Sequence, residues 1–366
     1  NMIPAVPLPG WRPLLNLPAG SGDAGDPAPW TTGSDDQAFW LSRTAWSLAA
    51  LGLAIAAAKG RPARVSLPEY ICNQSLWPLR QTGACLDFHP VDDRLRPLLP
   101  GDPALPPDLV VVVHYFGWAN AVPDTLGWCR RHGALLVEDC AHVLRPTGDI
   151  GTLGDAALYS PHKLLPCPDG AVLLARDPAL AQELPAAVAG LGDGFPSPAS
   201  WRLRKMVQRT PIASLRAWLR PPGQADFLSD PKTVALPRLP RPSAAGIRLI
   251  AAADLDRIAR RRRDNAQALA DAAAALAGAA PLFSLVQADA PYRLPLLCAD
   301  PGQAEQLFQA CRAERLPAES WPDLPPEIAS GRARDMRRRL LLLPCHQDLR
   351  PAALAHAVTR ALKRLG

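Results

Sequence analysis

Lysine is nearly missing from this chain. Of its 40 Lys and Arg residues only five are lysine, at positions 59, 163, 205, 232 and 363. Where arginine is the default cation, a retained lysine raises a question of chemistry, because an amine can lose its proton and become a nucleophile whereas a guanidinium cannot. Cysteine is present eight times but never as C-x-x-C, and its neighbours are mostly apolar. That spacing speaks against a metal ribbon or a disulfide framework and fits a reducing cytoplasm. The longest apolar run, "AWSLAALGLAIAAAKG", is about 14 residues against the roughly 20 that cross a bilayer, so it reads as a buried helix. The start, "NMIPAVPLPGW", shows no basic region followed by an apolar core, and no signal peptide is expected. No long basic tail accompanies the net charge of +6, which leaves little reason to expect nucleic acid as a partner. The densest basic run, Arg260 to Arg263, lies in a helical pattern and reads as a solvated face, with an anionic-ligand or partner patch as the alternative. No G-x-G-x-x-G follows the first strand pattern, which places a nicotinamide Rossmann enzyme last among the competitors.

The 366 residues exceed the usual single domain, and 48% apolar with 20% charged content describes an ordinary globular chain. Residues 1–34, rich in Pro and Gly, read as an irregular arm. A helix opens near Thr44 and closes at Gly60. Short apolar runs then alternate with helices: "ARVSLPEY", "CLDFHPV", "DLVVVVHYFG", "ALLVEDCA", "DAALYSPHK" and "AVLLA" as strands, "NQSLWPLRQTG" and "DTLGWCRRHG" as helices. Such a pattern predicts an α/β domain with a mostly parallel sheet, here assigned to residues 35–230. Its later part carries helical segments including "ASLRAWLR" at 213–220. Prolines at 231, 237, 240 and 242 cannot sit inside a helix or a central strand, so 231–246 is expected to join two domains. The remainder, 247–366, reads as a small α+β domain: a long helix, a strand pair near "FSLVQ" and "YRLPLLCA", a further helix, "RRRLLLLPCHQ" as a strand and a closing helix.

Ligands of open α/β sheets gather at the carboxyl ends of the strands. Those ends here carry Tyr70 and Cys72, His114, Asp139 with His142, and Ser160 with Lys163, while the helix beginning "SRTAWSL" adds Ser42, Thr44 and free N-terminal amides. Each is ordinary alone. Asp139 can cap the following turn, Lys163 can be a surface lysine, Ser160 a turn former, and His114, His142 and His346 core or rim histidines. Together they match pyridoxal phosphate, which needs an amine for its aldehyde, a carboxylate for its pyridine nitrogen, and amide and hydroxyl donors for its phosphate.

"LPEY", "VHYFG", "EDCAH" and "SPHKLLPCPDGA" resemble the DegT/DnrJ/EryC1/StrS aminotransferases, the sugar-aminotransferase branch of the fold type I pyridoxal-phosphate enzymes. The resemblance runs over about residues 38 to 176, and "ERLPAESWPDLP" and "RRRLLLLPCHQDL" extend it into the small domain. It implies a mostly parallel, seven-stranded-type sheet flanked by helices. It further implies that Lys163 bonds the cofactor and later moves a proton, that Asp139 pairs with the ring nitrogen, and that His142 sits near the ring hydroxyl. Ser160 and the Thr44–Ala45 turn would bind phosphate. An aromatic stacks on the ring at the position aligning with Cys72, so here Tyr70 substitutes or the stacking is lost. His346, and less directly His114, would approach the substrate. The resemblance also implies a cytoplasmic homodimer with the site at the subunit boundary. Two features depart from the family: "LPRLPRPSAAGIRLIAAADL" stands where a segment reaching the partner subunit is usual, and "PDGA" replaces the double glycine.

The activity so implied is transfer of an amino group from glutamate or glutamine to a keto sugar nucleotide. The alternatives are a non-sugar keto acceptor such as an aminocyclitol precursor, and a pyridoxal-phosphate fold that binds without turnover. Sugar dehydratases of this family carry histidine in place of the lysine; Lys163 argues against that activity, although His162 adjoins it.

Overall fold

The computed structural model describes residues 3–22, 25–210, 226–228, 235–329 and 331–365. The segment expected as a helix at 213–220, and residues 231–234 of the Pro-rich join, lie outside these.

The arm contains one short helix, α1 (Trp11–Leu15), and strand β1 (Gln37–Leu41) follows it. Helix α2 (Thr44–Lys59) ends on Gly60 at φ 60°, the left-handed cap that a glycine takes without strain. Next come β2 (Arg64–Pro68), α3 (Trp77–Gln81), β3 (Cys85–His89), β4 (Leu109–Val113), α4 (Val122–His132), β5 (Leu135–Cys140), β6 (Ala156–Tyr159), α5 (Pro161–Leu164), β7 (Ala171–Ala175), α6 (Pro178–Gly190) and α7 (Ala199–Gln208). The seven strands form one sheet in the order β1-β7-β6-β5-β4-β2-β3. β2 to β6 are mutually parallel, while β7 runs antiparallel to both of its neighbours. The mostly parallel seven-stranded α/β sheet expected for fold type I is therefore present.

Alternation along the strands sorts side chains between two layers. Val111, Val113, Val137 and Leu158 join the apolar cluster that holds α2, whereas Val110, Val112 and Leu136 join the one that holds α4. Both faces are covered, which is why these strands read as continuous apolar runs. Helix α2 is itself apolar all round because α3 and α6 pack on it as well as the sheet.

A second sheet, β10-β9-β8, is antiparallel and built from β8 (Ala279–Pro281), β9 (Arg293–Cys298) and β10 (Leu340–Pro344). Helices 255–273, 301–313 and 351–362 cover it. Two details differ from expectation. The strand beside β9 is Ala279–Pro281, not "FSLVQ", where residues 285–287 make a single 3-10 turn. Phe283 instead stacks on Trp118 at 5.5 Å, and the edge position of β8 tolerates Pro281. The arginines before "LLLLP" end a helix, Arg332–Arg339, and the strand begins at Leu340. No helix among the described residues is long and apolar enough to cross a membrane.

Candidate active site

Strand β5 delivers two consecutive acids to opposite faces of the sheet. Asp139 follows the parity of Val137, toward α2, and lines a cavity of about 240 Å³. Its Oδ1 accepts the Ala141 amide at 2.9 Å, and burial raises its pKa against the opposing field of Lys163. Glu138 points the other way and is fully buried. Its two oxygens accept the amides of Gly151 (2.7 Å), Leu153 (2.8 Å) and Gly154 (2.6 Å), and the Nε2–H of His114 at 2.8 Å. These donors hold its carboxyl below the usual range despite the cost of burial.

Lys163 lies in α5, the single turn that follows β6, and lines the same cavity as Asp139. Its Nζ is 3.4 Å from Nε2 of His142. That ring is sandwiched between Tyr292 (centroids 4.5 Å apart, planes 9° apart) and Phe116 (5.7 Å, 15°). Its Nδ1 accepts the Phe116 amide at 3.2 Å, and burial together with the fields of Lys163 and Arg293 keeps the imidazole neutral. The one ring hydrogen is therefore on Nε2, aimed at the lysine. His142 can donate there to an electron pair such as that of a phenolic oxygen. The amide that sets this tautomer belongs to a residue held at φ 58°, ψ 10°, a conformation that costs a bulky residue about 1–2 kcal/mol. Gly117 behind it, at φ 98°, passes so close that a Cβ would stand 3.1 Å from the His142 carbonyl oxygen.

The N-terminus of α2 forms another corner. Its first two amides, of Thr44 and Ala45, have no acceptor within the helix, while that of Trp46 donates to Arg43 O at 3.0 Å, and the N-cap residue, Arg43, supplies no side-chain cap. Thr44 and Ala45 line the cavity there. Arg43 Nη1 stands 3.5 Å from Nε2 of His162, whose Nδ1 faces Gly170 O at 3.1 Å and Ser160 Oγ at 3.0 Å. Burial, then the charges of Arg43 and Lys163, lower the His162 pKa to about 3, so the ring is neutral and accepts from the guanidinium. Cys72 forms part of the wall, with its Sγ donating to Asp323 at 3.4 Å, and burial pushes its thiol up to about 11.

Lys163, Asp139, His142, Thr44, Ala45 and Cys72 thus meet around one cavity. Five residues singled out from the sequence do not line it, among them Ser42, whose hydroxyl donates to Leu239 O at 2.5 Å. His114 has the parity of Val112, lies on the α4 face at 0% exposure, and is engaged by Glu138 and the Asn120 amide. Ser160 is fully buried with its hydroxyl turned to His162 rather than to the cavity. Tyr70 lies behind the wall, its ring 4.6 Å from that of Trp321. His346 sits beneath the N-terminal arm, where its Nε2 meets Pro4 O at 2.8 Å.

Conversely, Arg43, Phe116, His162, Tyr292, Glu319 and Trp321 line the cavity without having been singled out as site residues. Arg43 and His162 adjoin Thr44 and Lys163 in the chain and could have been found from that. Tyr292, Glu319 and Trp321 come from the small-sheet half of the chain, where no strand end or spacing marks them. Glu319 is held by Arg293 Nε at 3.2 Å, and the carbonyl of Trp321 by Arg337 Nε at 3.0 Å.

A lysine and a carboxylate at the ends of adjacent parallel strands, beside a helix N-terminus, sit on a fold that other proteins have. Solved structures share it over most of their length. TlmJ, an aminotransferase from Streptoalloteichus hindustanus, is 21% identical with a TM-score of 0.65 over 93% of this chain and 89% of its own. Helicobacter pylori PseC, an aminotransferase of pseudoaminic acid biosynthesis, is 13% identical with a TM-score of 0.66 over 90% and 87%. Bacillus subtilis NtdA, solved with its cofactor PMP, is 11% identical with a TM-score of 0.62 over 90% and 73%. No curated protein sequence matches the chain. Residues 107–189 match the model of the DegT/DnrJ/EryC1/StrS aminotransferase family. The segment that carries Asp139, His142 and Lys163 thus lies within the stretch that matches this family's model, in line with the resemblance of the motifs.

Proposed function

We propose that the chain is a pyridoxal-phosphate-dependent aminotransferase that moves an amino group from glutamate or glutamine to the ketone of a sugar nucleotide. The observation that carries this reading is the convergence of the Lys163 amine and the Asp139 carboxylate on one cavity beside the α2 N-terminus. The residues present fit the cofactor. Thr44 is 7% exposed, lines the cavity and makes no side-chain hydrogen bond among the described residues, which leaves its hydroxyl for a phosphate oxygen. Bound there, the cofactor would supply an aldehyde for the amine and a ring that accepts an electron pair from the substrate's Cα–H bond.

Within that frame Asp139 would hold a proton on the ring nitrogen; the positive ring would in turn restore the carboxylate that burial disfavours. His142, with its hydrogen fixed on Nε2, would donate to the ring hydroxyl oxygen. Lys163 Nζ, freed from the aldehyde by the incoming amine, would carry the proton between substrate and cofactor carbons. Trp321 and Phe116 close the apolar side and limit access of water. The sugar acceptor is supported by the family match and by the fold shared with PseC, an enzyme of pseudoaminic acid biosynthesis. A cytoplasmic homodimer is part of the same reading, and light scattering of the purified protein tests the dimer.

The experiment is a two-stage one. Glutamate or glutamine should convert the yellow protein to the colourless amino form, and a panel of keto sugar nucleotides should restore the colour. A protein that takes up the cofactor but responds to neither donor would refute the assignment of turnover, leaving binding alone.

A further inference from the structure

We propose that Arg43 is the counter-charge for the cofactor's phosphate, held over the α2 N-terminus by the ring of His162. The inference rests on the reading of this cavity as a pyridoxal-phosphate site, and it concerns a residue that the family motifs do not assign.

The first ground is charge. A phosphate monoester carries about −1.5 to −2 near neutral pH, and the N-terminus of a helix offers about +0.5. Among the described residues that line the cavity, the only Lys and Arg side chains are Lys163 and Arg43. Lys163 is committed to the aldehyde at the other end of the cofactor. His142 and His162 are held neutral and add no charge. Arg43 alone remains to balance the dianion.

The second ground is geometry. Arg43 is the residue immediately before the first turn of the 16-residue helix α2, whose Thr44 lines the cavity and makes no side-chain hydrogen bond among the described residues. Its guanidinium makes no ion pair among the described residues, although Asp169 feels its field. Asp169 is itself engaged by the amide and hydroxyl of Ser243, at 2.8 and 2.6 Å. The contact the guanidinium does make is with His162, whose other nitrogen is tied to Gly170 O. A neutral ring fixed at one nitrogen presents a lone pair at the other, and that lone pair orients one arm of the guanidinium. The remaining donors of the planar fork are free for phosphate oxygens.

The test compares pyridoxal phosphate with pyridoxal, which has the same ring and aldehyde but no phosphate. Equilibrium binding is read by tryptophan fluorescence and the visible band in the wild-type protein, Arg43→Met and Arg43→Lys. Arg43 is exposed, so its variants are expected to fold. Arg43→Met should weaken pyridoxal phosphate roughly 30-fold, the loss of one charge-assisted contact, and leave pyridoxal within about threefold. Arg43→Lys, which keeps the charge, should recover most of the difference. Equal losses for the two ligands, no loss for pyridoxal phosphate, or a lysine variant as weak as the methionine one would overturn the role of Arg43. A wild-type protein that binds neither ligand would overturn the reading of the cavity as well.

Discussion

Replacing Glu138 by Gln tests how the Gly151–Gly154 turn is held on the face of the sheet opposite the cavity. The two residues differ by one oxygen exchanged for an NH2 group, at nearly constant volume. In the structure one oxygen of Glu138 accepts the Leu153 and Gly154 amides and the other accepts the Gly151 amide and His114. Whichever way a glutamine amide is turned, its NH2 meets two N–H donors. His114 cannot relieve the conflict by moving its hydrogen, because its Nδ1 already accepts the Asn120 amide at 3.2 Å. Two charge-assisted contacts at about 1.5–3 kcal/mol each are lost, so Glu138→Gln should destabilise the protein by about 3–6 kcal/mol. Urea unfolding at pH 7 followed by far-UV circular dichroism measures this, with the exposed Glu305→Gln as a control expected within about 0.5 kcal/mol. Glu138 has a folded pKa below its unfolded one, so its contribution is complete above the unfolded value and disappears as pH falls through the folded value. The penalty of the substitution should therefore shrink below about pH 4. A change under 1 kcal/mol at pH 7 would mean that the Gly151–Gly154 turn does not depend on this carboxylate.

The remaining expectations concern the cavity and its pH response. Lys163→Ala should leave a folded protein without the visible band of lysine-bound cofactor and without turnover; a spectrum identical to wild type would place the attachment elsewhere. Asp139→Ala should weaken cofactor retention and lower turnover by at least about a hundredfold, read by dialysis and steady-state rates. Burial lowers the pKa of His89 to about 4, of His162 and His346 to about 3, and of His142 well below its ordinary value. Below about pH 6.5 the unfolded chain binds protons at these four sites that the folded chain refuses. Stability should therefore fall with pH by up to about 5 kcal/mol per unit between pH 6 and 5, partly offset by Asp139, whose raised pKa acts in the opposite sense. Denaturation midpoints that stay level from pH 7 to 5 would contradict the burial of these rings.

Part of the site was legible because strand chemistry is local. An apolar run that ends in "EDCAH" or "YSPHK" carries its polar groups just past the carboxyl end of a parallel strand, whatever the rest of the chain does. The period of two in "VVVVH" was equally local: it sends Val113 and His114 to opposite faces, and the placement of His114 near substrate overlooked it. Ser160 was harder. Its backbone position was legible, but the direction of its hydroxyl depends on His162 two residues later and on a carbonyl at Gly170. The replacement of "FSLVQ" by Ala279–Pro281 as the outer strand came from Trp118, distant in the chain, which takes Phe283 as a stacking partner.

By itself the sequence determined the order of strands and helices between Thr44 and Ala175, the ends of α2, and the presence of an acid, a histidine and a rare lysine at neighbouring strand ends, because periodicity and caps act over a few residues. Only the tertiary structure decided which of those groups share a cavity and in what state. The hydrogen of His142 is set by an amide of Phe116, the neutrality of His162 by burial beside Arg43, and the wall at Glu319 and Trp321 by arginines in a different part of the chain. Protonation and orientation respond to dielectric and to contacts across the fold, and neither is written in local spacing.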